Sequence, residues 1–356
     1  MKFANILSRN SNNPADEITK RKNPLSDTAF LLITTVIIFV LMYVLGMILF
    51  AGKGFANPQN FFNLLNENAA LIVLSCGLTI VMIAGGIDIS VGGATALIGM
   101  SCVIHMDDQG GQFGTAIFVA LGIGLTFGIV QGYLVAYLGV QPFIVTLAGM
   151  FFARGLTAII ETETRTVSNE GFNKIAQTRI RLPGVGSVNN NGVFVQAYLE
   201  IGVIVALVVV IALFATLRWT KFGRNLYAVG GNLQSALMLG INVKRTKFLS
   251  YVLCGLLTGI GGMIFLLHIR SGATTHASGM EMDAIASSII GGTLLTGGVG
   301  SVFGTFIGAL TKGTIGNIVR AIGLTGAWWT GISRAAMLCF FIVLQSVIIM
   351  RKRKKS

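Results

Sequence analysis

The sequence predicts an all-α, polytopic integral membrane protein of about ten transmembrane helices, with glycine-rich broken or re-entrant segments and both termini cytoplasmic. Three observations lead there. Of 356 residues, 53% are apolar and only 11% charged, where a soluble domain carries about 25% charged residues. The mean hydropathy is +0.78. Uncharged runs recur at the length, about 20 residues, that a helix needs to cross a bilayer core.

In chain order those runs are 28–50, 68–87, 89–106, 109–153, 201–217, 248–267, 284–311, 321–333 and 335–350. The 45-residue run 109–153 must hold two crossings, divided near "LGVQPF" (138–143), where Pro142 removes a backbone donor. The first run is longer than a signal-peptide core, and no small-residue cleavage site follows it, so it is expected to stay as the first helix. The chain then reads as an N-terminal cytoplasmic segment (1–27), a transmembrane domain (28–350) and a short basic tail (351–356).

The net charge of +13 would suit nucleic acid, but the positions of the basic residues argue for a membrane. Of 26 Lys and Arg, five precede the first run, six lie in 218–247 and five form "RKRKK" (351–355), with only three acids among those segments. Basic loops stay on the cytoplasmic side, which places 218–247 inside, and 161–196 and "HMDDQ" (105–109) outside. Ten crossings satisfy all of these placements. The basic patches also suit anionic lipid headgroups, so no nucleic-acid partner is expected.

Enzyme chemistry finds no foothold. There is no phosphate-binding loop, no H-E-x-x-H and no G-x-S-x-G. His105, His268 and His276 lack partners at ligand spacing, and Cys76, Cys102, Cys254 and Cys339 are scattered through apolar stretches. Catalytic residues, bound metal and a resident cofactor are therefore not expected.

Glycine, at 46 residues, is the main structural signal. Gly124, Gly128 and Gly132 are spaced four apart, as are Gly300, Gly304 and Gly308, and Gly255 pairs with Gly259. Such faces let helix backbones approach closely in lipid. The inside loop 218–247 holds "NLQSALMLGI" (232–241), a short amphipathic helix introduced by Gly230 and Gly231, with Asn232 suited to N-capping. Its small residues, Ala236 and Gly240, beside Leu237 and Ile241, suggest docking on a soluble partner more than resting on lipid.

Here the residues carry a resemblance. "YAVGGNLQSALMLGINV", "GGIDISVGG" (85–93), "QPFIVTLAGMFFARG" (141–155) and "EMDAIASSIIGGTLLTGGVGSVFGTFIGA" (281–309) resemble, in order, the permeases of ribose/arabinose/xylose-type ABC sugar importers. The resemblance implies a plasma (inner) membrane permease that works as a dimer with a second copy or a paralogue. It implies a separate ABC ATPase that binds ATP and Mg, and a periplasmic or lipoprotein sugar-binding protein. It also makes the loop helix a coupling helix that docks the ATPase. "TLAGMFFARG", "GGTLLTGGVGSVFGT" and "AWWTGI" look most like the galactofuranose branch, with ribose or a similar sugar as the alternative.

Several polar residues are candidates for the translocation path or its gate: Asp88, Ser90, Gln141, Arg154, Trp328 and Trp329. Each has a plainer reading. Asp88 suits a cap on the next helix, Arg154 a brace between helices, and the tryptophans an interfacial belt. Glu281 and Asp283 suit either the positive end of a helix or docking of the external binding protein. The rival function is an ion-coupled secondary transporter, for which Gly-broken spans and an embedded acid would also serve. A permease of the same family with a non-sugar cargo is the other alternative.

Overall fold

A computed structural model describes residues 24–188, 193–324 and 326–353. The five basic residues of the N-terminal segment and the last residues of the tail lie outside the described residues. Thirteen helices are described. They are α1 (Pro24–Leu49), α2 (Pro58–Ile83), α3 (Val91–Asp107), α4 (Phe113–Ala136), α5 (Pro142–Ile160), α6 (Glu170–Ala176), α7 (Ile201–Trp219), α8 (Lys221–Gly231), α9 (Leu233–Met238), α10 (Val243–Ile269), α11 (Met280–Ile290), α12 (Val302–Ile322) and α13 (Ala327–Arg353). Among the described residues, seven are long and apolar enough to cross a membrane: α1, α2, α4, α5, α7, α10 and α12. The apolar helix α3 and the apolar stretch Gly331–Val343 of α13 are shorter.

Three expected runs are redrawn. The run 284–311 is divided, because Gly292, Gly297 and Gly298 all take positive φ and turn the chain between α11 and α12. Ser301 then restarts the helix by accepting the Gly304 N–H at 3.3 Å. The runs 321–333 and 335–350 do not form separate spans. Gly323, at φ 101°, ends α12, and a single helix follows from Ala327. Pro142 behaves as its chemistry demands, opening α5 at its first position, where no N–H is needed.

The fold is also not purely helical. The segment 161–196 contains α6 and most of an antiparallel hairpin, β2 (Arg179–Val188) with β3 (Phe194–Glu200). A two-residue strand, β1 (Arg165–Thr166), pairs with β4 (Ser271–Gly272). The hairpin is fastened to the start of α2: Tyr198 N donates to Gln59 Oε1 at 2.9 Å, and Glu200 N to Asn66 Oδ1 at 2.9 Å.

α2 is the central mast, buried almost continuously from Leu64 to Ile83 against α7, α10, α11 and α12. The glycine faces read from the sequence pack closely against neighbouring helices and turns, and two of them meet each other. A Cβ at Gly124 would stand 2.7 Å from Gly259 N, and one at Gly255 would stand 2.7 Å from Gly128 Cα, so α4 and α10 cross backbone to backbone. Gly304 and Gly308 receive α11 in the same way, with a Cβ at Gly308 only 2.8 Å from Gly291 N. In an apolar solvent such close approach, with its dispersion contacts, is what holds helices together.

Candidate functional site

The stretch "GGIDISVGG" forms a break inside the bundle. α2 stops in a Schellman turn: Gly85, at φ 80°, donates to Met82 O at 2.9 Å, and Gly86 donates to Val81 O at 3.0 Å. The chain then passes through 86–89 without regular structure, and α3 begins beside the middle of α5, where a Cβ on Gly93 would meet Met150 O at 2.8 Å.

Asp88 and Ser90 are brought together there, at 3% and 2% exposure. Asp88 Oδ1 accepts both Ser90 N–H at 2.9 Å and Ser90 O–H at 2.6 Å. Its other oxygen lies 3.6 Å from Cys254 Sγ. Ser90 is the N-cap residue of α3, but its hydroxyl does not cap the helix. Asp88 therefore ties the break to itself by an i to i+2 bond rather than capping the first turn of α3.

Sequence reasoning missed the neighbours. Gln131 is 3% exposed with its Oε1 3.3 Å from Ser90 Oγ, and Tyr251 O–H donates to Ile87 O at 3.1 Å. Gln131 and Tyr251 each carry a polar group within a run otherwise dominated by apolar residues, a signal available in the sequence but not specific to a partner. The expected path residue Gln141 is elsewhere: it is exposed at the start of α5.

This geometry sets an expected outcome. Asp88→Asn keeps an acceptor for both Ser90 bonds and is expected to melt close to wild type. Asp88→Leu leaves the buried Ser90 N–H unpaired and is expected to lose about 1–3 kcal/mol, seen as a lower melting midpoint in detergent. Equal midpoints would show that the bonds to Ser90 contribute nothing.

Arg154 serves as a brace. Its Nη1 donates to Thr274 O at 2.7 Å and His276 O at 2.9 Å, pinning the irregular segment ahead of α11 onto α5. Glu281 and Asp283 are not on a docking surface. They are 8% and 7% exposed, Glu281 accepting from Gly279 N at 3.2 Å and Asp283 pairing with Lys312 at 2.9 Å. Trp328 and Trp329 are 71% and 40% exposed, on the outside of the bundle rather than in a polar interior.

The basic loop folds as α8 and α9. Asn232 caps α9 as its type predicts, accepting Ser235 N–H at 2.9 Å. Of the residues expected to dock a partner, Leu237 and Gly240 are exposed and Ala236 is not. Ala236 is 1% exposed and faces its own chain, whereas Leu237, Met238 and Leu239 are 56%, 83% and 77% exposed. Ile241 N–H turns back to Ala236 O at 3.1 Å. Gly240 has open space around it, and its φ of 73° is what requires glycine.

Gly230 also packs inward, whereas Gly231 is exposed with open space where a side chain would stand. A Cβ at Gly230 would run into Ile83 O and stand 2.5 Å from Gly298 N, while a Cβ at Gly298 would stand 2.6 Å from Gly231 Cα. Gly298 N–H itself donates to Ile83 O at 2.9 Å, and Tyr227 O–H to Gly300 O at 2.8 Å. Burial pushes the Tyr227 hydroxyl up to about 12 against the opposing pull of Arg218, so its proton stays in place at neutral pH. The surface loop thus rests directly on both glycine turns, 84–90 and 291–300.

Residues 60–342 match the family described as "Branched-chain amino acid transport system / permease component". The chain belongs to this family. The permease is 35% identical over 314 residues to the inner membrane ABC transporter permease protein YjfF of Escherichia coli K12, across 88% of this chain and 91% of that one. It is 34% identical over 322 residues to the fructose import permease protein FruG of Bifidobacterium longum, across 89% and 91%. It is 31% identical over 309 residues to the ribose import permease protein RbsC of E. coli K12, across 87% and 92%. No solved structure matches. The family and the apolar helices make it a multi-pass permease of the plasma membrane, a transport component rather than an enzyme.

Proposed function

We propose that this permease forms the translocation path of an ATP-driven importer for a monosaccharide, delivered by an external binding protein and driven by a separate ATPase. The relatives' names support the cargo class, since they include fructose and ribose, and a further relative at 28% identity is named for galactose and methyl galactoside. Galactofuranose, suggested by the short sequence resemblance, belongs among the sugars to test. The single observation that supports an ATPase partner is the exposed apolar tip of α9, next to basic α8, which rests on the two glycine turns.

The topology proposed is ten crossings, with 218–247 and both termini cytoplasmic. Eight would be α1, α2, α3, α4, α5, α7, α10 and α13. The remaining two are the irregular entry with half-helix α11, then α12. In a dimer, the break at Asp88 and the turn at 291–300 would move with α9 when the ATPase closes.

The test is reconstitution in liposomes with the ATPase and the binding protein. Labelled sugar is expected to accumulate only with ATP. Uptake by the permease alone under an ion gradient would overturn the importer reading in favour of a secondary transporter. Met238→Asp with Leu239→Asp puts two charges into the proposed contact and is expected to weaken ATPase capture by about tenfold or more. Capture equal to wild type would reject α9 as the docking element.

A further inference from the structure

We infer that a cleft between α2, α12 and α13 is a contact site for a neutral polyhydroxylated molecule, a site that rests on the sugar-import reading of this permease. The cleft encloses about 260 Å³, room for roughly nine waters at about 30 Å³ each, which suits one small polyol. Charged and polar groups line it at a depth where such groups are expensive and mark substrate paths.

The chemistry of the lining selects the ligand class. Lys312 is the middle residue of the 21-residue α12. Its Nζ lies 2.9 Å from Asp283 Oδ2, with the two side chains 15% and 10% exposed. Toward the mouth, Arg320 pairs with Glu67 at 2.9 Å, and those side chains are 54% and 42% exposed. Asn68 and Ser333 add neutral polar groups to the wall. Each positive charge faces a negative one, so a charged ligand would have to break a pair to bind. Hydroxyls donate and accept at once, and can bridge both members of a pair without separating them.

Glycine keeps the space open. A Cβ added at Gly316 meets nothing within 4 Å, so this side of α12 faces the void rather than a neighbouring helix. The mast residues Glu67 and Asn68 contribute from α2, and Lys312 reaches the first turn of α11 through Asp283. A ligand here would therefore contact the mast and α12, and would sit one ion pair away from the half-helix.

The experiment uses the full transporter in liposomes, with ATPase and binding protein. Cys76, Cys102 and Cys254 are buried and Cys339 is exposed, so Ser333→Cys in a Cys339→Ser background places one accessible thiol in the cleft. D-ribose, D-fructose and D-galactose are tried separately against a membrane-impermeant maleimide. With the transported sugar at about ten times its half-saturating concentration, labelling is expected to slow by about tenfold. Gly316→Leu, which fills the cleft without touching backbone, is expected to lower uptake by about tenfold or more while its melting midpoint and ATPase capture stay at wild type. Labelling that ignores a sugar the transporter takes up, or wild-type uptake by Gly316→Leu, would overturn the site. A wild-type complex that takes up no sugar would overturn the importer reading instead, and the site with it.

Discussion

Gly255→Leu is expected to be the most destabilising single substitution in the bundle. The new side chain would have to enter the α4–α10 crossing, where even a Cβ would stand 2.7 Å from Gly128 Cα and closer still to Gly124 O. Overpacking a core commonly costs about 1–3 kcal/mol when side chains can shift. Here the obstacle is backbone on a facing helix, so the helices must separate and the effect lies at or beyond the upper end of that range. Gly255→Ala should show a smaller loss of the same kind. Melting midpoints in detergent check both, and a Leu variant as stable as wild type would mean that the crossing is not tightly packed. Gly316→Leu provides the control, being an equal addition on a face with open space.

Gly230→Val is expected to separate ATP hydrolysis from transport. The exposed tip of α9 is unchanged, so the ATPase should still be captured. The joint beneath it is damaged, because Gly230 lies against Ile83 O, the carbonyl that closes α2, and against the 291–300 turn through Gly298. Uptake is expected to fall by about tenfold or more, a barrier increase of at least about 1.4 kcal/mol, with ATPase activity largely kept. Tyr227→Phe removes only the bond to Gly300 O and should cost about 0.5–1.5 kcal/mol of local stability, giving a milder uncoupling in a protein that folds normally. Sugar uptake and phosphate release measured on the same liposomes decide it. Unchanged uptake in the valine variant would show that force does not pass through this joint.

Both outcomes concern contacts that the sequence announced only in part. The glycine spacing on α4 and α10 was legible, and so was the interruption at 85–93, because glycine at those intervals has few other uses in an apolar helix. Asn232 was legible as a cap, since a capping side chain needs only its own next turn. The partners were not. Gln131 reaches Ser90 from 41 positions away along the chain and Cys254 reaches Asp88 from 166, and Lys312 reaches Asp283 across the 291–301 turn. The outward face of α9 was legible only in part: Leu237 and Gly240 are exposed but Ala236 is buried, because small side chains fit a protein interior and an outer surface equally well.

By itself the sequence determined the solvent, the approximate crossings, the basic loop 218–247 and the places where helices could break, all of which follow from local composition and the length of a helix in lipid. Only the tertiary structure decided which glycine face meets which, that Glu281 and Asp283 point inward, that Trp328 and Trp329 point outward, and that one helix from Ala327 replaces the two expected spans 321–333 and 335–350. In water, an apolar stripe tells a helix which side to bury. In lipid, the surroundings are as apolar as the interior, so the stripe fades and the choice passes to close packing and polar pairing between residues distant in the chain.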